Sequence, residues 1–211
     1  MKSRSLTRVV LALSFVLPAA VSAAPSSAKA CGGEVYLETN PNTMLVAQAE
    51  QLLSQGKLNK AAEKAVQAFP ALKIVKVGST NLSDRALRIM ALAASRAEGS
   101  VTAGAMKAKD HEANMAWSVA TLKAIDAKRP NNPSIQTDLA EVMSRVPEHK
   151  EAALKMLSEL SDKDLITSAE GYAALGRLKA AAGDSKAREA AVKRCETMTK
   201  SPDQVCVVPA A

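Results

Sequence analysis

The chain has 211 residues, with 28 Lys and Arg against 21 Asp and Glu, and 47% of it is hydrophobic. Aromatic residues make up only 2%, which leaves few ring platforms for stacking bases, and the basic residues are interspersed with acids rather than gathered in a stripe. Nucleic-acid binding is therefore not expected, and the length is that of one domain.

Residues 1–23 read as a secretory signal peptide. Lys2, Arg4 and Arg8 form a positive start, Val9 to Leu17 an apolar run, and Pro18 followed by Val21-Ser22-Ala23 a small-residue cleavage signal. The run is shorter than the roughly 20 residues needed to cross a bilayer, so no transmembrane span is expected after cleavage. Cleavage after Ala23 leaves 188 of the 211 residues and lowers the net charge from +7 to +4, because the leader holds three basic residues and no acids. The expected destination is the periplasm or the medium. Residues 24–40 carry Pro25, Ser26, Ser27, Gly32 and Gly33 and read as extended. Lys29, inside the Ala-Lys-Ala that precedes Cys31, does not fit a lipidation signal, so a lipid anchor at Cys31 is not expected.

From residue 41 the pattern is helical. Asn40-Pro41 is a capping side chain followed by a first-turn proline. Leu45, Ala49, Leu52 and Leu53 recur at the three- and four-residue spacing of one helix face, and Gly56 closes that helix. Leu58, Ala61, Ala62, Ala65, Val66 and Phe69 form a returning helix that Pro70 stops. Residues 71–80 can continue a helix or form an apolar connector. Ser83-Asp84 is expected to start the next helix, which runs to about Gly99, with a loop over 99–106. Met115 to Ile125 mark a helix that ends before Pro130. Asn132-Pro133 starts another, and Pro147 opens the one after it. Ser161 and Asp164 read as a capping-box-like start. Gly183-Asp184 separates that helix from the last, which ends near Thr199. Residues 200–211 are expected to be a tail, mobile apart from any tie through Cys206. No segment alternates with period two for long enough to be a sheet strand. The expected fold is all-α, a solenoid of about eight helices in four antiparallel hairpins over residues 41–199, with a compact bundle as the competing arrangement.

Two stretches superpose at one offset. Leu45, Ala49, Leu52, Gly56, Ala61, Ala65 and Ala68 correspond to Tyr172, Gly176, Lys179, Gly183, Arg188, Val192 and Cys195. This helix–Gly turn–helix spacing resembles the tetratricopeptide repeat, a two-helix unit of about 34 residues. Tyr172, Leu175 and Gly176 keep the family's first-helix pattern, while Lys179 stands where a second aromatic is expected. Arg188 replaces a small residue that Ala187 would supply after a shift of one. The resemblance implies an array whose first helices line a concave groove for a peptide or another protein. Glu50, Glu141, Arg145 and Arg177 are the groove candidates by spacing.

The sequence carries little that points to catalysis. His111 and His149 are the only histidines, and neither has a partner at zinc-helix spacing. There is no CxxC, GxGxxG, Walker loop or GxSxG. Met90, Met115, Met143 and Met156 fall on apolar helix faces and read as core fillers rather than copper ligands. No cofactor or metal is expected, nor an enzyme. Cys195 and Cys206 are candidates for a disulfide in an oxidising compartment. The function expected is an exported interaction scaffold or adaptor of the cell envelope. A self-associating envelope-assembly protein is the alternative, and an enzyme or ligand carrier has less support.

Overall fold

A computed structural model describes residues 40–208. The expected leader, the stretch with Cys31 expected to be extended, and the last three residues lie outside the described residues. Within them the chain is all-α. Eight helices pair as α1 (Pro41–Ser54) with α2 (Leu58–Ala68), α3 (Asn81–Arg96) with α4 (His111–Lys128), α5 (Pro133–Met143) with α6 (Lys150–Asp162), and α7 (Ala169–Ala181) with α8 (Ser185–Met198); a short α9 (Pro202–Val205) follows. These are the four expected hairpins.

Local chemistry sets the helix starts. Asn40 Oδ1 accepts the Asn42 N–H at 3.0 Å, and Asn132 Oδ1 accepts those of Ser134 and Ile135, each ahead of a first-turn proline. Two expected starts move. Helix α3 begins at Asn81, ahead of Ser83-Asp84, because Thr80 and Ser83 form a reciprocal capping box: Thr80 Oγ1 accepts the Ser83 N–H at 2.9 Å, and Ser83 Oγ accepts the Thr80 N–H at 3.1 Å. Ser161 lies in the last turn of α6 and Asp164 in the left-handed turn after it, while Ser168 caps α7 by accepting the Gly171 N–H. A hydroxyl three residues before a carboxylate has the same spacing at either end of a helix, so the pattern alone does not say which end it marks.

Residues 71–80 resolve into a connector with one 3-10 turn at Leu72–Ile74. The loop after α3 is longer than expected and reaches Asp110, with an isolated bridge between Ala103 and Met106. Buried Asn114 holds it, donating from Nδ2 to the carbonyls of Gly99 and Lys107 at 2.8 and 3.0 Å.

Packing sorts the helices into layers. The odd helices touch in succession, α1 on α3, α3 on α5 and α5 on α7, whereas the even helices pack mainly on the odd ones. The odd helices therefore form one layer, the inner one, on which residues of the first and last hairpins converge. Small residues permit the close approach. Ala61, Ala62, Ala65 and Ala68 of α2 are buried. Gly56 and Gly183, which superpose at the repeat offset, both turn with positive φ, at 69° and 74°. At the crossing of α5 and α7, a Cβ on Gly171 would lie 2.5 Å from Thr137 Cγ2.

The segment after α8 is tied through Cys206, the exception expected for an otherwise mobile tail. Cys195 and Cys206 are joined in a disulfide, and α9 packs on α7 and α8. Val208 lies against Gly176, where a Cβ would come within 3.2 Å of Val208 Cγ2. The covalent tie and this apolar contact seat residues 200–208 on the last hairpin.

Gly171→Ala is expected to destabilise the protein by about 1–3 kcal/mol, the usual cost of overpacking. Chemical denaturation of G171A beside G171A/T137S checks this. The double variant removes the methyl that the new Cβ meets and should regain much of the loss.

Candidate functional site: an arginine-lined cavity on the inner face

Three inner helices bring charge to one place. Arg96 is the last residue of α3, Glu141 lies in α5, and Glu170 is in the first turn of α7. Arg96 grips Glu141 with two bonds, Nε to Oε1 at 2.8 Å and Nη2 to Oε2 at 2.9 Å, and its Nη1 donates to Glu170 Oε1 at 2.7 Å. The Glu141 side chain is 0% exposed. Burial works against its charge, but Arg96 first, and then Arg145 and Arg177, hold its carboxyl below the usual range. Burial likewise opposes the Arg96 charge and is outweighed by Glu141, Glu170 and Asp138, so the guanidinium is held more firmly protonated than usual. Elsewhere between α3 and α5, Arg88 pairs with buried Asp138 and donates to Ser134 Oγ at 2.6 Å.

Above this buried pair opens a cavity of about 580 Å³. Arg96, Glu170 and Ala173 line it together with Arg145, which follows α5, and Arg177 of α7. The C-terminal end of α1 and the start of α2 form one wall through Leu53 and Leu58, and the disulfide-tied segment from Met198 to Val207 forms the other. The two ends of the stack thus meet across its inner face.

Arg145 and Arg177 differ from Arg96. Among the described residues no carboxylate lies in ion-pair range of either, and Arg145 Nε and Arg177 Nη2 are buried without a hydrogen-bond partner. Burial, and then the neighbouring Arg145 charge, push the Arg177 guanidinium below its ordinary range, with Glu141 acting in the opposite sense. Arg96, Arg145, Arg177 and Lys200 stand against the carboxylates of Glu141 and Glu170, so the site holds two positive charges in excess.

Of the four groove candidates, Glu141, Arg145 and Arg177 come together here, with Glu141 beneath the cavity rather than on its surface. Glu50 does not join them. It pairs with Arg85 across α1 and α3, with Nη2 to Oε2 at 2.6 Å and both side chains more than 40% exposed. Arg96 and Glu170 do not stand out in the sequence, since helix-terminal charges read as solvated. The missing signal is their position on odd helices, which only the stacking makes inward.

The histidines line a separate groove of about 800 Å³ beside α4. His111 Nδ1 lies 3.2 Å from both the Glu98 carbonyl and Ser100 Oγ. Among the described residues no cluster of three or more His, Cys, Asp or Glu could hold a metal. Met90 and Met143 are buried core residues, while Met115 and Met156 are partly exposed. Trp117 Nε1 donates to the Lys73 carbonyl at 3.1 Å, fixing the connector after α2. No described helix is long and apolar enough to cross a membrane. Comparison with protein-family models, with curated proteins and with solved structures yields no match to this chain.

Removing Arg96 leaves Glu141 buried and without its closest partner. Arg96→Ala is expected to cost roughly 3–5 kcal/mol, whereas the R96M/E141M pair, with no stranded carboxylate, should lose distinctly less. Equilibrium unfolding of both variants measures the difference. Asp138 gives a pH test. Burial pushes its carboxyl from 3.8 up to about 6, against the pull of Arg88 and with a further push from Glu141. The folded state therefore holds the proton more tightly than the unfolded chain, and Asp138 adds stability as pH falls from about 6 to about 4. The melting temperature of wild type minus that of Asp138→Asn should rise over that interval and level off below it.

Proposed function

We propose that this chain is an exported helical-repeat protein of tetratricopeptide-like type, acting as an interaction scaffold that holds another protein or peptide on its inner face. The observation that carries the reading is the inner face itself. The odd helices form it, and it presents Arg145 and Arg177 in a cavity walled by both ends of the stack. Scaffold surfaces of this kind hold partners through a few anchors in pockets surrounded by a complementary rim. Met198 and Val207, 44% and 62% exposed, give that rim apolar surface beside the guanidiniums. Export is supported by the leader-like start and by the Cys195–Cys206 disulfide, which suits an oxidising compartment. The periplasm or the medium is the proposed location.

A photo-crosslinking residue at Gln204, on the cavity rim, should capture a partner in the cells that make the protein. The same residue at Lys186, exposed on α8, should not. Equal capture from both positions would remove the inner face from the proposal. An adduct between two copies would replace the adaptor by the self-associating alternative, and sedimentation at several concentrations would then show the same dimer.

A further inference from the structure

The cavity also has the size of a small-molecule site, with a lining that is mostly polar and an apolar strip on two sides. Ligand pockets commonly run from about 300 to 1,000 Å³ and combine apolar walls with a few convergent polar groups; this one is about 580 Å³. Its polar groups are unequal. Arg96 spends its donors on Glu141 and Glu170. Arg145 Nε and Arg177 Nη2 are buried with no acceptor. A buried donor without a partner costs free energy that a ligand oxygen recovers.

We propose that Arg145 and Arg177 bind the carboxylate of a small amphiphilic monocarboxylic acid. The donors set the headgroup. Arg145 Nε and Arg177 Nη2 are two buried N–H donors without acceptors, and the positive excess of the lining favours an anion that brings them two oxygens. The guanidinium fork suits the two oxygens of a carboxylate. The walls set the body of the ligand. Leu53 and Leu58 on one side, and Met198, Val205 and Val207 on the other, offer apolar contact to a short chain held by its acid. The Cys195–Cys206 bridge fixes the second wall, so the pocket's width is preset rather than formed on binding. This site is the same cavity that the proposed protein-binding face presents, here assigned to a small ligand. A free acid and the end of a peptide share the same group, and the probes below separate them.

Isothermal titration of the purified, oxidised protein uses hexanoate, N-acetyl-leucine, their amides, and inorganic phosphate. Saturable binding of either acid is expected, with the matching amide weaker by about tenfold or more, as the loss of a charge-assisted hydrogen bond implies, and with phosphate weaker because it has no apolar body for Leu53, Leu58, Met198, Val205 and Val207. Preference for hexanoate points to a free acid, and preference for N-acetyl-leucine to a chain end. R145Q and R177Q should each weaken the acid by about tenfold or more. Lys186→Gln should leave binding unchanged. Amides that bind as well as the acids, phosphate that binds better, or variants with unchanged binding would each overturn the assignment, as would no saturable binding of either acid. The comparison of acid with amide needs only the wild-type protein, so it stands even if a variant misfolds. Loss of acid binding with rim crosslinking intact would reject this site and leave the protein-binding reading standing.

Discussion

The Arg96–Glu141 pair is the constraint around which the inner layer is arranged. A carboxylate with no exposed surface is tolerated only where its charge is matched and its oxygens are bonded. Arg96 does both at once, and its third contact to Glu170 joins α3, α5 and α7 through a single guanidinium. Apolar helix faces can slide past one another at small cost. Two parallel bonds of 2.8 and 2.9 Å cannot, so the pair fixes the relative placement of three hairpins where Ala-rich contacts alone would permit several. Arg88, Asp138 and Ser134 repeat the arrangement between α3 and α5.

The same placement creates the site. With Arg96 committed to two carboxylates, the cavity inherits two more guanidiniums whose charge is only partly offset. Burial and mutual repulsion make them costly, and Arg177 registers that cost in its depressed proton affinity. Strain of this kind, held in place by surrounding structure, is a common mark of a functional site. The cavity walls belong to the first and last hairpins. The disulfide-tied segment after α8 therefore governs access and adds Lys200 to the charge of the lining.

Polar residues inside the stack serve a second purpose where helices do not reach. Asn114 ties the loop after α3 to α4, and Trp117 ties the connector after α2 to the same helix. Asp84 accepts the Gly78 N–H at 2.7 Å and anchors the other end of that connector. Each bond satisfies backbone groups in a long link that would otherwise be left without partners. The irregular region between the two superposable hairpins is thus held by single side chains rather than by a repeated motif.

The amino-acid sequence by itself determined the helices and their pairing. Apolar spacing, Asn-Pro starts and glycines at 56 and 183 act within a turn or two, so they can be read without the fold. Spacing also singled out Glu50, Glu141, Arg145 and Arg177 together, since each lies on or beside a helix that begins a hairpin, but it did not separate the three that converge from the one that does not. Tertiary structure decided the rest. Ser161 and Asp164 close a helix rather than open one, because a cap is defined by which backbone groups are free. Arg96 and Glu170 turn inward because the stacking of the odd helices puts their helix ends at the centre. Glu50, with the same spacing credentials, stays outside because Arg85 reaches it first. The segment from 200 to 208 becomes a wall because Cys206 and Val208 find partners eleven and more residues back in the chain. Local periodicity reports which face of a helix is apolar. Only the packed stack reports which charges face one another across it.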